Sequence, residues 1–122
     1  MTIQEIAGRL VELCKQGDYE TCYKELYSSD VVSIESEGAP TPIAHGMEGI
    51  AEKGKKWESM VEKVHSTKIG EPIIAGNHFA LTWTMNLTYK GAPAPIDSEE
   101  ICVYEVKDRK IVKEQFFYPP MG

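Results

Sequence analysis

From His78 to Lys90 the chain reads HFALTWTMNLTYK, with a large apolar residue at every second position: Phe79, Leu81, Trp83, Met85, Leu87 and Tyr89. Ala80, Thr82, Thr84, Asn86 and Thr88 fall between them. Alternation of this kind belongs to an extended strand with two unlike faces. Six large side chains on one side require a cover from elsewhere in the chain, and this demand limits the possible folds more than any other stretch. Ala75-Gly76-Asn77 turns the chain into the strand, and Gly91-Ala92-Pro93-Ala94-Pro95 turns it out. A strand from Val64 through Ile74 precedes it. The segment Pro95 to Tyr118 reads as two antiparallel strands joined at Lys107-Asp108-Arg109-Lys110.

The first half of the chain has the other period and supplies the cover. Thr2 and Glu5 have capping-box spacing, and Ile3, Ile6, Ala7, Leu10, Leu13 and Cys14 follow at helical intervals until Gly17. Asp18 caps a shorter helix with the stripe Tyr19, Cys22, Tyr23 and Leu26, which Ser28-Ser29-Asp30 ends. Val31 to Glu35 is strand-like, and Gly38 to Pro42 is a loop because two prolines do not fit a central ladder. A third helix follows His45-Gly46. Its stripe is Met47, Ile50, Ala51, Gly54, Trp57 and Val61, with Glu48, Glu52, Lys55, Lys56, Glu58 and Glu62 facing outward.

Helices followed by antiparallel strands predict an α+β domain in which the helices cover one face of a curved sheet. The 122 residues suit one domain, 1–122, without repeat or linker. The second face of the sheet carries mostly Thr, Ser and Lys with some aliphatics, which predicts a homodimer paired through the sheet.

The formal charge of −6 and the lack of a basic stripe argue against a nucleic-acid partner. Cys14, Cys22 and Cys102 are odd in number and contain no C-x-x-C pair, which fits a reducing compartment better than a disulfide framework or a zinc site. Met1 to Glu5 shows no basic segment leading into an apolar run, and no apolar stretch reaches membrane-spanning length. The expected location is the cytoplasm, with no membrane partner. His45 reads as a cap or loop residue, His65 as the start of a strand and His78 as a turn residue; without H-x-H or H-E-x-x-H spacing they give no metal site. Nucleotide-binding glycine loops and nucleophile-elbow motifs are missing, so no cofactor is expected.

Chemistry is carried by carboxylates in apolar company. Glu100 lies two and four residues from Cys102 and Tyr104, and Glu114 lies two and four from Phe116 and Tyr118, so each shares a strand face with them. A carboxylate in such surroundings has its charged form disfavoured and its pKa raised. Two of them facing inward would share one proton near neutral pH and supply an acid and a base together. Trp57 and Trp83 offer flat apolar area to a ring-shaped ligand, or simply fill the core.

The order of elements, with GDYETCYKELYSSDVVSIE, the helix entry PIAHGMEGI and the ending VKDRKIVKEQFFY, resembles the nuclear-transport-factor-like superfamily, which includes ketosteroid isomerases and SnoaL-like polyketide cyclases. The resemblance covers nearly the whole chain. It implies a cystatin-like cone: a strongly curved, mostly antiparallel sheet around three helices, with an apolar cavity at its open end. It places Trp83, Met85 and Leu87, then Glu100, Cys102 and Tyr104, then Glu114, Phe116 and Tyr118 toward that cavity. Glu35 falls where ketosteroid isomerases carry a general-base carboxylate. The family's oxyanion-hole tyrosine and protonated aspartate fall near Leu10 and Cys102, which are poor donors, so steroid isomerisation itself does not carry over. The implied function is binding of a small, mostly apolar molecule. The implied reaction is cofactor-independent isomerase, cyclase or lyase chemistry with Glu35 as base and Glu100 or Glu114 as protonated donor. Substrate contacts are expected from Trp57, Trp83, Met85, Cys102, Tyr104, Phe116 and Tyr118. The alternatives on the same scaffold are a ligand carrier and a protein-association module. Arg109 stands where relatives carry glycine in the hairpin turn, which implies a non-glycine residue at positive φ or a different loop.

Overall fold

Thr2 opens the first helix with the reciprocal bonds that its spacing predicts. In the computed structural model, which describes residues 1–119, Thr2 Oγ1 accepts from the Glu5 amide at 3.1 Å and Glu5 Oε1 accepts from the Thr2 amide at 2.8 Å. Helix α1 (Ile3–Lys15) turns Ile6, Ala7, Leu10, Leu13 and Cys14 inward. Helix α2 (Tyr19–Leu26), capped by Asp18, adds Cys22 and Leu26 to the same core. The helix ends and the strand begins earlier than expected: the chain passes from Leu26 directly into strand β1 (Tyr27–Ile34), which takes in Ser28-Ser29-Asp30. Tyr27 and Val31 are buried there, and the sheet supplies partners for a backbone that a loop would have left to water.

Strand β2 (Ile43–His45) leads into helix α3 (Gly46–Met60), whose apolar stripe is narrower than expected. Ile50 is buried and Met47 and Trp57 are half-buried, while Ala51 and Gly54 face solvent. Lys53, three residues after Ile50 and four before Trp57, is half-buried in that stripe. Val61 already belongs to the next strand, β3 (Val61–Ile69), rather than to the helix. The strand expected to run unbroken to Ile74 is interrupted at residues 70–72 before β4 (Ile73–Ala75). Gly70 donates its amide to the Thr82 carbonyl at 2.9 Å and lies so close to Thr82 that a side chain there would collide with its hydroxyl. Pro72 then has no amide to offer a ladder.

Strands β5 (His78–Tyr89), β6 (Ile96–Lys107) and β7 (Lys110–Phe117) follow. His78 is the exposed first residue of β5 rather than a turn residue. The hairpin between β6 and β7 keeps two residues at positive φ, Asp108 at 52° and Arg109 at 64°. This is the backbone twist that two-residue hairpins favour.

The sheet order is β2-β1-β7-β6-β5-β3, with β4 paired to β5. The β1–β7 pair is parallel and the others are antiparallel. Register shifts in the β1–β7, β3–β5 and β6–β7 pairs curve this mixed sheet. Helix α1 packs against β3 and β5, α2 against β1, and α3 against β1, β2 and β3. The fold is therefore the expected α+β arrangement of three helices and a large curved sheet. Ile6, Leu10, Leu26, Phe79 and Ile111 fill the space between them.

Candidate functional site

Strand register arranges the inner face in rows that cross the sheet. In one row Ser33 of β1 pairs with Glu114 of β7, which pairs with Tyr104 of β6, which pairs with Phe79 of β5. The next row is Phe116, Cys102 and Leu81. The third is Glu100, Trp83 and Ile69. Glu114 and Glu100 are thus carried into the interior by the same alternation that buries their apolar neighbours.

Glu114 is 3% exposed, so water cannot solvate its charge and protein groups do so instead. Tyr27 donates its hydroxyl to Oε1, and the fully buried Ser33 donates Oγ–H to Oε2 at 2.7 Å. Burial pushes the Tyr27 phenol well above its ordinary value, with the Glu114 charge adding to the effect, so Tyr27 remains a proton donor. Lys53 reaches into this cluster from α3. Its Nζ donates to Ser33 Oγ at 2.5 Å and to Glu35 Oε1 at 2.7 Å, and it lies 3.6 Å from Glu114 Oε2. Its charge also lies 4.7 Å from the centre of the Phe116 ring. The second oxygen of Glu35 accepts from Tyr118 Oη at 2.8 Å. Burial, and next the bond to Glu35, raise the Tyr118 phenol and keep it protonated as well.

Glu100 is provided for differently. Among the described residues its carboxyl receives a weak hydrogen bond, from Cys102 Sγ at 3.7 Å. Burial, reinforced by repulsion from Glu35, pushes it up to about 7 against the opposing pull of Cys102 and Lys53. One ammonium therefore faces three carboxyls. Glu35 and Glu114 each accept from two strong donors, whereas Glu100 has the weak thiol contact and the raised pKa.

The structure brings Glu35 and Glu114 together on Lys53 and sets Glu100 within electrostatic reach of all three. Among the expected wall residues, Trp57, Met85, Phe116 and Tyr118 are half-buried. Cys102 and Tyr104 are closed into the core, Tyr104 stacked on Phe79 with ring centres 4.7 Å apart. Trp83 is 9% exposed and faces Tyr19 of α2 at a ring distance of 6.3 Å. A surface cleft of about 220 Å³ shares Lys53 with the cluster and is otherwise walled by Thr41, Ala44, His45, Glu52 and Lys56 among others. Lys53, Ser33 and Tyr27 escaped the sequence reading. Lys53 had a signal: Ile50, Lys53 and Trp57 are spaced 3 and 4 apart, which puts a cation on the helix's buried side.

Among the described residues no helix is long and apolar enough to cross a membrane. A search of curated proteins finds no match. Among solved structures, a candidate SnoaL-like polyketide cyclase from Mesorhizobium loti is 33% identical, with a TM-score of 0.89 over 97% of this chain and 100% of that one. A candidate isomerase from Bacillus subtilis is 18% identical, with a TM-score of 0.75 over 98% and 91% of the two chains. A protein of unknown function with a cystatin-like fold from Xanthomonas campestris gives 18% and 0.75 over 97% and 91% of the two chains. The SnoaL-like domain family matches residues 1–118, and the chain belongs to that family.

Proposed function

We propose that this domain moves a proton on a small, mostly apolar carbonyl compound without a cofactor, an isomerase, cyclase or lyase step, and that Glu100 carries the proton. The supporting observation is the contrast among the three inner carboxyls: Glu35 and Glu114 are each held by two strong donors, whereas Glu100 has a weak thiol contact and a pKa pushed up to about 7. A group with that value is available as base and acid at neutral pH. In its ionised form Glu100 takes a proton from the carbon next to the carbonyl. The C–H electron pair becomes a C–C double bond and the carbonyl pair moves onto oxygen as an enolate. Where a C–C double bond adjoins that carbon the enolate extends over it as a dienolate, and return of the proton to the far carbon, with the oxygen pair re-forming the carbonyl, completes an isomerisation. Lys53 lies beside this site, 2.7 Å from Glu35 and 3.6 Å from Glu114. The base role that the family resemblance gives Glu35 passes to Glu100 in this reading, because both Glu35 oxygens are engaged by Lys53 and Tyr118.

The outer face of the sheet supports a homodimer: Ile101 and Phe117 are cross-strand partners and are 50% and 48% exposed. Three buried thiols, all free, suit a reducing cytoplasm. A second reading, a carrier without chemistry, draws on the tight closure of Cys102 and Tyr104 around the site.

The test is hydrogen exchange in heavy water with 2-tetralone, a ring ketone with acidic hydrogens beside its carbonyl, followed by proton NMR. The protein should accelerate deuterium uptake at that carbon, and Glu100→Gln should slow it about a hundredfold. Binding of the ketone without accelerated exchange favours the carrier, and exchange unaffected by Glu100→Gln removes Glu100 from the mechanism.

A further inference from the structure

Trp83 holds the one buried side-chain nitrogen or oxygen that has no hydrogen-bond partner among the described residues, its indole Nε1. An indole N–H can only donate, and leaving it unmatched in an apolar interior costs about 1–3 kcal/mol. Its neighbours along β5 and on β3 offer it no oxygen or nitrogen acceptor. Leu81 and Met85 flank it along β5, and Ile69 pairs with it from β3. The residue opposite on β6 is Glu100. Directly opposed strand residues hold their Cβ atoms about 5 Å apart, so the side chains of Trp83 and Glu100 leave the sheet side by side on its inner face.

We infer that the Trp83 indole N–H is a recognition element of this site, donating to the oxygen of an uncharged, ring-sized carbonyl ligand whose neighbouring carbon faces Glu100. A donor-only group selects an acceptor and turns away ammonium groups. Among acceptors, a carboxylate or phosphate is disfavoured because Glu35 and Glu114 together outweigh the single charge of Lys53 in the adjoining cluster. A neutral carbonyl satisfies both conditions, and the flat indole with Met85 beside it suits a ring. Tyr19, 40% exposed and tilted 31° to the Trp83 ring, borders this wall on the solvent side. The inference rests on Glu100 as the place where a ligand is held.

The chain has two tryptophans, so protein labelled with nitrogen-15 shows two indole N–H signals, assigned with Trp57→Phe. Titration with millimolar 2-tetralone should move the Trp83 indole proton downfield and saturate. Tetralin, the same ring system without oxygen, should leave it in place. Trp83→Phe should weaken the ketone about fivefold and tetralin hardly at all, the loss of one neutral hydrogen bond. An indole proton unmoved by millimolar ketone, whether or not the ketone binds elsewhere, overturns the inference. So does an equal shift with tetralin. The parent reading fails separately: a Trp83 shift without deuterium exchange on the same ketone would keep the recognition element and remove the catalysis.

Discussion

Glu35, Glu100 and Glu114 are the same chemical group, and what separates them is the set of donors each one meets. For Glu100, burial and the charge of Glu35 move the folded-state pKa from 4.5 to about 7. Between those values the folded chain keeps a proton that the unfolded chain has released. The contribution to stability is therefore complete below about pH 4.5 and is lost as the pH rises through about 7. Glu100→Gln, which cannot ionise, should remove that loss. Between pH 5 and pH 8, urea denaturation should show wild type losing on the order of 2 kcal/mol more than the variant, a figure discounted for the solvent that still reaches the group. Parallel profiles would place Glu100 in ordinary solvent. The inward glutamates were legible in the sequence because strand alternation fixes faces two residues apart. Lys53 was not, because a lysine amid outward charges on a helix reads as solvated surface unless its 3 and 4 spacing to Ile50 and Trp57 is counted. Neither Ser33 nor Tyr27 carries a local signal for Glu114, since they meet it only through the parallel β1–β7 pairing across more than 80 residues.

Elements were legible where the hydrophobic period held over several turns or pairs, as in α1 and β5. They were misread at junctions without a breaker. Helix α2 runs into β1 and α3 into β3 with no glycine or proline at the change, so tertiary pairing alone decides where each helix stops. At the β6–β7 turn the resemblance left two alternatives, and the structure has the first: Arg109 sits at φ 64°, where glycine pays no steric cost. Arg109→Gly should stabilise the fold by about 0.5–1 kcal/mol, seen as a higher urea midpoint with an unchanged slope. A lower midpoint would mean that the arginine side chain contributes more than its backbone costs.

At the level of the molecule, the curved sheet divides its residues between two surfaces with different tasks. The outer one presents Ile101 and Phe117, and sedimentation should find a dimer that Ile101→Lys weakens at least about tenfold, the effect of placing a charge in an apolar contact. A monomeric wild type would mean that these residues face solvent for another reason. The inner surface gathers three carboxyls around one ammonium, and the whole functional account depends on where the remaining proton resides. Carbon-13 NMR of the glutamate carboxyls, with the Glu100 signal identified by its loss in Glu100→Gln, measures this directly. A titration midpoint near 7 for Glu100 is the predicted result, and a midpoint at the ordinary value of about 4.5 would contradict the account.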